Sequence, residues 1–472
     1  MVVGAGPNGL AAGITLARAG VSTRIYESSD TIGGGCRSSE LTLPGFIHDV
    51  CSAIHPLAAS SPFFNSLPLE QYGVKWVMPQ IALANPFEDG SVALIYNSLE
   101  RTANRFEKGS DRERYASLFS ANIENLDAIV KDVLGPLTRL PRRPLQLLSF
   151  LSNAVFPVRS YAKRTFQGRD VRAIFAGMAA HSMLALDRSL TTGFAILLLL
   201  LAHTVGWPFP EGGAQKISDA LAGYFRSLGG EIDAGFEVRS KEELPKSTAY
   251  LFDLTPRQIL KIFGESAFPS PFSNALKSFK YGPGVFKLDY ALDGPIPWKS
   301  EDCLRAGTVH VCGELEDVER SEQAVWDGEL AERPFVIVAQ QSLFDRSRTP
   351  NGKHTAWAYC HVPHGSDADM KCRVEAQIER FAPGFRRRIL ASHSFTAVEM
   401  EHYNANYVGG DINGGLQDFW QTIARPSLSI SPYSTPLAGV YICSSSTPPG
   451  GGVHGMCGYF AARAAISKEF SR

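Results

Sequence analysis

A glycine-rich turn close to the start of the chain limits its fold more than any other segment. The apolar pair Val2-Val3 leads into Gly4-Ala5-Gly6-Pro7-Asn8-Gly9, an apolar run follows over 10–19, and Gly20 ends it. This order predicts a strand, a tight turn and an α-helix with a glycine at its C-terminal cap. It is also the first half of a unit that binds dinucleotides.

Each glycine of the turn has its own task in such a unit. Gly4 makes the turn, Gly6 lets the backbone approach a pyrophosphate, and Gly9 lets the helix pack on the strand. A second short strand at 22–26 ends at Glu27, where an acidic side chain accepts hydrogen bonds from a ribose. Because Glu27 follows the second strand, where dinucleotide-binding units carry their ribose-binding acid, a dinucleotide site is a better interpretation than a surface turn.

A second glycine cluster, Ile32-Gly33-Gly34-Gly35-Cys36-Arg37, follows shortly after. Glycine backbone has no side chains to obstruct a ligand, and a guanidinium can bind two phosphate oxygens at once. Both features suit a second contact with a pyrophosphate. The alternative is a flexible loop with a solvated arginine. Rossmann enzymes that bind only a nicotinamide cofactor do not usually carry this element, so it favours FAD.

The C-terminal region supplies a third element. An apolar strand at 440–443 precedes Gly450-Gly451-Gly452-Val453-His454-Gly455, and small residues over 458–465 predict a helix. The glycine spacing of the first turn recurs, but no strand with an acid follows, so we predict no second nucleotide domain. The N-terminus of this helix would stabilise negative charge on a reduced flavin.

Charge and composition exclude several classes of protein. Lys plus Arg number 46 and Asp plus Glu 47, so the net charge is −1 and no basic field favours nucleic acid. The eight cysteines form no C-x-x-C pair, so we predict neither a metal site nor a redox disulphide. The most apolar stretch, 195–202, is too short to span a bilayer. We therefore expect a cytoplasmic protein, and peripheral association with a membrane stays open.

Several segments in a fixed order carry a resemblance to a known family. They are VVGAGPNGLAAGITLARAG, GGGCRSSELTLPGFIHDVCSAIHP, PEGGAQKISDAL, LFDLTPRQ, GGDINGG and STPLAGVYICSSSTPPGGGVHGMCGYFAA. Together they resemble the phytoene desaturase-like FAD-dependent oxidoreductases, in the branch that includes pyridine nucleotide-disulphide oxidoreductase domain-containing protein 2. The resemblance implies an α/β fold, with a discontinuous Rossmann FAD-binding domain of the glutathione-reductase type and a substrate domain of mixed sheet and helices.

The same resemblance assigns FAD contacts to individual residues. The backbone at Val238, in a second strand at 236–238 that pairs with one at 229–232, should meet the adenine. The expected FAD-binding residues are Gly4, Gly6, Pro7, Asn8, Gly9, Glu27, Gly33, Gly34, Gly35, Arg37, Val238, Gly451, Gly452, Val453 and His454.

The FAD elements and the segments between them divide the chain into two predicted domains. In the segments between, the residue pattern predicts a hairpin over 76–96, an amphipathic helix over 115–133 and a strand at 286–292. Lys287 and Asp289 would form a solvated face of that strand. The predicted boundaries are 1–75, 205–260 and 400–472 for the FAD-binding domain, and 76–204 and 261–399 for the substrate domain.

A flavin takes a hydride from carbon while the protein positions the substrate. With one nucleotide domain there is no dedicated NAD(P)H site. The family resemblance implies desaturation of a C–C bond, or isomerisation of a double bond, in a hydrophobic substrate of the carotenoid, isoprenoid or lipid type. Oxygen and a quinone are candidate electron acceptors.

Two alternatives to this function stay open: an amine- or porphyrinogen-type flavin oxidase, which an aromatic cage at the flavin would favour, and a non-catalytic scaffold with a structural flavin. The sequence shows no such cage.

Histidines are the first candidates for proton transfer because imidazole titrates near neutral pH. We select His454, at the start of the C-terminal helix, and His55, after the second glycine cluster, with Asp49 as the third candidate catalytic residue. A purely structural role is the alternative for each. The weaker candidates are His48, His361 and Asp411.

Basic residues between 159 and 172 alternate with apolar and aromatic ones, upstream of the apolar run at 195–202. A basic helix of this kind lies on an anionic bilayer in peripheral membrane proteins and would admit a lipophilic substrate. The alternative is a solvated basic face over a buried core helix.

Overall fold

The computed structural model describes residues 1–136 and 138–471. A parallel sheet of five strands and a mixed sheet of seven strands organise the chain. The strands are β1 Val2–Val3, β2 Arg24–Tyr26, β3 Ser38–Ser39, β4 His48–Asp49, β5 Trp76–Val77, β6 Ile81–Pro86, β7 Val92–Tyr96, β8 Phe209–Pro210, β9 Glu231–Asp233, β10 Tyr250–Phe252, β11 Gly284–Leu292, β12 Ala306–Val311, β13 Val336–Ala339, β14 His354–Val362, β15 Ile389–Phe395 and β16 Val440–Ile442.

Helices cover both sheets. The α-helices are α1 Pro7–Arg18, α2 Pro56–Ser60, α3 Leu99–Ala103, α4 Gly109–Ile123, α5 Leu126–Val133, α6 Pro144–Ala154, α7 Val158–Thr165, α8 Arg169–Ala180, α9 Thr191–Thr204, α10 Gln215–Ser227, α11 Pro256–Phe263, α12 Ser270–Lys277, α13 Leu315–Trp326, α14 Lys371–Phe381, α15 Ala397–Tyr403, α16 Phe419–Ile423 and α17 Met456–Ala465.

The five-stranded sheet brings together distant parts of the chain. Its order is β16-β10-β1-β2-β9, and every neighbouring pair is parallel. Helices α1, α10 and α17 pack over one face, where Val2, Ile25 and Leu251 are fully buried. Helices α1 and α17 approach so closely that a Cβ on Gly458 would lie 1.8 Å from the carbonyl oxygen of Asn8.

The seven-stranded sheet has the order β15-β11-β14-β13-β12-β6-β7 and is antiparallel except between β6 and β12. Helix α14 packs on one face, and a helical layer that includes α8, α9 and α13 packs on the other. The predicted fold class, a discontinuous Rossmann-type unit joined to a mixed sheet with helices, is confirmed. The exact domain boundaries stay a prediction.

The solvated face predicted for β11 is wrong. Lys287 is 2% exposed and Asp289 is fully buried, and the two side chains pair with each other. Alternation of charged and apolar residues indicates a solvent-exposed face only where one side of the sheet is in contact with solvent. Here both sides of β11 are covered, so the two charges are buried and pair with each other.

Three further local predictions need correction. The hairpin is β6 and β7, whereas β5 pairs with β8 instead. The single helix over 115–133 breaks into α4 and α5, because the Asn125 side chain donates to the Ala121 carbonyl at 2.8 Å and competes with the helical backbone. The segment 236–238 is not a strand: Gly235 turns the chain with a φ of +74°, and the Phe236 amide makes an isolated bond to the Glu27 carbonyl.

The apolar residues of the stretch considered for membrane contact pack into the protein. Val158 and Tyr161 are buried, while Arg159 pairs with Glu319 at 2.7 Å. The run 195–202 lies within α9, much of which is buried. Among residues 1–136 and 138–471, no helix combines the length and apolarity needed to cross a lipid bilayer.

Candidate functional site

A cavity of about 580 Å³ lies where the two sheets meet, which is within the size range of sites for small molecules and cofactors. One end is bordered by the first glycine turn and the ends of β2 and β10. The other end is bordered by side chains of the mixed sheet, with α9 alongside. We call these the nucleotide end and the sheet end.

The first glycine turn forms the floor of the nucleotide end. Gly4 has a φ of +101°, and a Cβ on Gly9 would lie 1.9 Å from the Gly4 carbonyl oxygen, so the turn is as tight as only glycine permits. Helix α1 begins at Pro7, and its first-turn N–H groups suit an anion. The turn residues that line the cavity are Gly4, Gly6, Pro7 and Asn8, with Gly9 behind them.

Glu27 lines the same end and is held rigidly. Its Oε2 accepts from the Ala5 amide at 2.8 Å, and its Oε1 accepts from the Ser29 amide at 2.9 Å. The Arg37 guanidinium donates to Oε1 at 3.3 Å. The carboxylate therefore stands at the end of β2 with its orientation fixed by the glycine turn.

The second glycine cluster packs directly against the first, since a Cβ on Gly34 would lie 3.1 Å from the Gly6 Cα. Gly33 ties the two together by donating to the Ala5 carbonyl at 2.9 Å, and Gly34, Gly35 and Arg37 line the cavity. The Nε of Arg37 is enclosed without a hydrogen-bond partner in the described part of the chain. A buried guanidinium with a free N–H beside two bare backbone turns fits a pyrophosphate.

Asp253 is a lining residue that the sequence analysis did not select. It follows β10, and its Oδ2 accepts from the Gly9 amide at 2.9 Å. Burial raises the pKa of this carboxyl from 3.8 to about 7. An aspartate directly after an apolar strand, in the segment Leu251-Phe252-Asp253, was the signal that could have revealed it.

The C-terminal glycine segment contributes Gly451, Gly452 and Val453 to the lining, but the His454 side chain lies behind it. The His454 Nδ1 accepts from the Met456 amide at 3.0 Å, which places the ring at the start of α17. Burial lowers the pKa of His454 to about 4.

His55 does line the cavity. Its Nε2 is hydrogen-bonded to the Ser52 hydroxyl at 2.6 Å, and its Nδ1 is enclosed without a partner in the described chain. Burial lowers the pKa of His55 to about 4, so the imidazole is neutral near pH 7. Ser52 stands beside it in the lining.

Asp49 lies away from the cavity and joins distant segments. Its carboxylate accepts from the Ser38 hydroxyl, the Ala214 amide and the Arg348 guanidinium, each at 2.7 Å. These donors leave it occupied as a structural acceptor. Neighbouring His48 is 3.5 Å from Asp289 and is likewise outside the lining.

The remaining candidates are also outside the lining. Val238 packs in the core, while its neighbour Glu237 borders the nucleotide end. His361 is bonded to Glu322 at 2.7 Å. Asp411 accepts from the Gly282 and Gly415 amides, so it organises a turn. The catalytic assignments made from the sequence stay predictions.

The sheet end is walled by apolar and aromatic side chains. Trp357 and Tyr359 meet edge to face with ring centroids 5.0 Å apart. The full set of residues at this end comes from several strands and helices, so the local sequence does not mark the set as one wall. The residues at this end are His181, Phe194, Leu198, Trp207, Thr308, Ile337, Trp357 and Tyr359.

The parallel sheet, the glycine turn and the buried acid after β2 define a dinucleotide-binding domain of the Rossmann type. The family profile of the NAD(P)-binding Rossmann-like domain matches residues 2–67. Solved structures share the fold over nearly the whole chain. An oxidoreductase from Methanosarcina mazei has a TM-score of 0.65 at 16% identity, and the match covers 99% of each chain. Putrescine oxidase bound to putrescine has a TM-score of 0.61 at 14% identity, over 99% of this chain and 97% of that one.

Curated relatives extend over nearly the whole chain. Pyridine nucleotide-disulfide oxidoreductase domain-containing protein 2 of Rattus norvegicus is 24% identical over 98% of this chain and 92% of its own. Phytoene desaturase (lycopene-forming) of Pseudescherichia vulneris is 22% identical over 99% of each. One polypeptide of the limonene dehydrogenase of Castellaniella defragrans is 22% identical over 98% of this chain and 93% of its own. The resemblance found in the sequence is confirmed, and the chain is homologous to oxidoreductases of this kind.

Proposed function

We propose that this protein is an FAD-dependent oxidoreductase that acts on C–C bonds of a hydrophobic substrate, by desaturation or by isomerisation of a double bond. The observation that carries the proposal is one continuous cavity, whose nucleotide end suits a dinucleotide and whose sheet end is apolar and aromatic. Homology to phytoene desaturase and to limonene dehydrogenase supports an isoprenoid-like substrate.

The residues at the nucleotide end fit FAD. The cradle has no room for side chains at its glycines: a Cβ on Gly6 would lie 2.9 Å from Asp253, and one on Gly35 would lie 2.4 Å from the Tyr407 hydroxyl. Arg37 brings a guanidinium to the cavity wall, where it suits a phosphate, and Glu27 stands where a ribose is held. The second glycine cluster adds a second stretch of side-chain-free backbone for the pyrophosphate of a dinucleotide.

When bound, FAD would supply the hydride-accepting chemistry. The chain's own residues provide the surroundings. Leu198, Trp207, Ile337 and Trp357 exclude water at the sheet end and hold an apolar substrate by contact area. The His55–Ser52 pair holds one proton between Nε2 and Oγ at the cavity wall. His454 and Asp49 lie outside the lining.

The experiment begins with purified protein. We expect it to be yellow, with FAD released on denaturation, and we expect the flavin absorbance to bleach anaerobically with one member of a panel of terpenes, polyenes and acyl lipids. Oxygen and a quinone are then compared as acceptors by the rate at which the colour returns. Colourless protein that does not take up added FAD contradicts the proposal.

A second candidate, an amine- or porphyrinogen-type flavin oxidase, is favoured by one observation. The Trp357–Tyr359 pair supplies aromatic rings at the sheet end, the feature whose absence from the sequence had counted against it, and the fold is shared with putrescine oxidase. Bleaching by polyamines but not by terpenes would support this candidate. If no panel bleaches the flavin and a protein partner co-purifies stoichiometrically, a non-catalytic scaffold is supported instead.

Peripheral membrane contact is proposed at α6 instead of at 159–172. Leu145 and Leu148 of this helix are 78% and 63% exposed, and the three arginines of the preceding loop, at 139, 142 and 143, supply positive charge. An exposed apolar helix flanked by arginine suits an anionic lipid surface. Helix α6 packs on α9, which borders the cavity, so a lipophilic substrate would have a short route from the bilayer.

A further inference from the structure

Two histidines from different elements meet at the sheet end of the cavity. His181 directly follows α8, and His310 lies on β12. Their Nε2 atoms are 3.0 Å apart, which is a hydrogen bond between the two imidazoles. His181 lines the cavity, whereas His310 is fully buried behind it. No sequence pattern and no homology assigned a role to this pair.

Both imidazoles are neutral at physiological pH. Burial lowers the pKa of His181 to about 3, and burial together with His181 holds the pKa of His310 far below its usual range. A neutral imidazole carries one N–H donor and one acceptor nitrogen. The bond between the two Nε2 atoms therefore contains one proton, which belongs to one ring and is accepted by the other.

The surroundings of His310 decide which ring donates. Its Nδ1 is enclosed and has no partner in the described chain, and a Cβ on Gly177 would lie only 2.4 Å from it. Enclosed N–H groups without a partner are rarer than enclosed acceptors without one. His310 therefore keeps its proton on Nε2 and donates it to His181. His181 must then carry its own proton on Nδ1.

The Nδ1 of His181 is the ring nitrogen that is left for a ligand. It has no hydrogen-bond partner in the described residues, yet it is not one of the enclosed unpaired atoms, and the residue lines the cavity. The neighbouring Trp207 indole is already satisfied, because it donates to the Thr308 hydroxyl at 2.9 Å. His181 is thus an oriented N–H donor in a wall that is otherwise mostly apolar.

The Tyr359 hydroxyl stands in the same row of the sheet. His310 pairs with Ile337 on β13, and Ile337 pairs with Tyr359 on β14, so the three side chains share one face. Tyr359 lines the cavity, and its hydroxyl is not among the enclosed unpaired atoms. A ligand at this end therefore meets a second polar hydrogen beyond Ile337.

We propose that His181, positioned by His310, is a binding subsite for an oxygen atom of the substrate, so that the substrate is an apolar molecule with a carbonyl or hydroxyl group. This inference rests on the proposed function, because it names the substrate class of the same cavity. A pure hydrocarbon would leave the His181 N–H without a partner, which costs binding free energy. An ammonium group, which has donors and no acceptor, does not pair with it either.

The test uses carvone and limonene, two terpenes with the same ring skeleton that differ by a ketone oxygen. Binding to the FAD-loaded protein is measured by perturbation of the flavin spectrum. We expect carvone to bind about tenfold more tightly than limonene to the native protein, and the preference to vanish in His181→Phe. His181→Asn should restore it, because the amide N–H reaches the position of Nδ1. Infrared difference spectra should show the carbonyl stretch of bound carvone at lower frequency in the native protein than in His181→Phe.

His354→Phe is the matched control. His354 is half-buried, bonds to Ser342 and does not line the cavity, so the carvone preference should be unchanged. His310→Leu tests the positioning role: carvone should still bind, but with a weaker preference and a smaller carbonyl shift. Circular dichroism and the Tm of each variant confirm that it is folded.

Three results would overturn the inference: equal affinity for the two terpenes, a carvone preference that survives in His181→Phe, or no binding of carvone up to its solubility limit. Failure of the proposed function is a separate observation, namely no uptake of FAD. In that case carvone binding is followed by tryptophan fluorescence, because Trp207 and Trp357 line the cavity, and the same three results apply.

Discussion

Asp253 is the residue in which burial and function are most directly coupled. Its carboxyl touches the turn that would receive a pyrophosphate, through the bond from the Gly9 amide. A second negative charge beside a phosphate is unfavourable, so a carboxyl that keeps its proton to higher pH suits the site. The burial that raises its pKa is therefore consistent with an anion in the cradle.

Asp253→Asn should change the pH dependence of stability. With a pKa of about 7 in the folded chain and an ordinary value of 3.8, the folded state binds more protons than the unfolded state between these values. The free energy of unfolding of the native protein then falls as pH rises through this window, by roughly 1 kcal/mol per pH unit from this group. Urea denaturation of the FAD-free protein at pH 5 and pH 7.5 should show a smaller loss in the variant.

Asp302→Asn is the control for this measurement, because Asp302 lies near the surface and pairs with Arg305 at 3.1 Å. Its pH dependence should match that of the native protein. If Asp253→Asn also follows the native slope, the carboxyl at 253 does not retain its proton in the folded chain.

Strand β11 buries two charges that its own sequence suggests are solvated. Lys287 and Asp289 pair on one face of the strand, and His48 lies 3.5 Å from Asp289. Removing one partner of a buried pair leaves the other charge uncompensated, which typically costs about 3–5 kcal/mol. We expect Asp289→Ala to lower the free energy of unfolding by about this amount, measured by chemical denaturation.

The matched variant for β11 removes both charges. Lys287→Met combined with Asp289→Leu should be closer to the native protein in stability than Asp289→Ala, because neither charge is then left alone. Equal destabilisation by the single and the double variant would show that side-chain packing, and not the charge pair, determines the effect.

Helix α6 carries the prediction on membrane contact. Leu145→Glu combined with Leu148→Glu should reduce co-sedimentation with vesicles of phosphatidylserine and phosphatidylcholine severalfold, because the exposed apolar face becomes charged. Raising the salt concentration should weaken binding of the native protein as well, since the arginines act electrostatically. Arg320→Glu, at an exposed position of α13, serves as the control because it changes the net charge by the same two units. Unchanged co-sedimentation of the leucine variant would exclude α6 as the contact.

Across the entire chain, the cavity joins segments that are far apart in sequence, from Gly4 to Val453. A ligand that binds only the folded state stabilises it by about 2.7 kcal/mol at a concentration of 100 Kd. Excess FAD should therefore raise the Tm of the FAD-free protein by several degrees. Gly6→Val should abolish this shift and the bound flavin, because a side chain at Gly6 would block the approach of a phosphate to the backbone and crowd Asp253.

Gly20→Ala is the control for the glycine substitution. A Cβ on Gly20 meets no atom within 4 Å, although its φ of +78° makes alanine somewhat strained. The variant should lose some stability and keep its FAD-induced shift. If Gly6→Val retained a normal FAD content, the cofactor would not lie at this turn.

The strand–turn–helix at the start of the chain was predictable because its signals are local. The glycine positions, the apolar period of α1 and the acid at Glu27 specify backbone shape within a few tens of residues, and the resemblance placed the second and third glycine segments beside them. The same kind of local evidence failed for Lys287 and Asp289, since alternation along β11 does not reveal what covers each face.

Packing between distant segments determined which side chains line the cavity and which of them keep a proton. His181 meets His310, and Asp253 meets Gly9, through contacts between parts of the chain that are more than a hundred residues apart. Their protonation follows from burial, which depends on every element packed around them. The amino-acid order therefore specified the kind of cofactor cradle, whereas the folded arrangement specified which side chains line the chamber beyond it and which of them keep a proton.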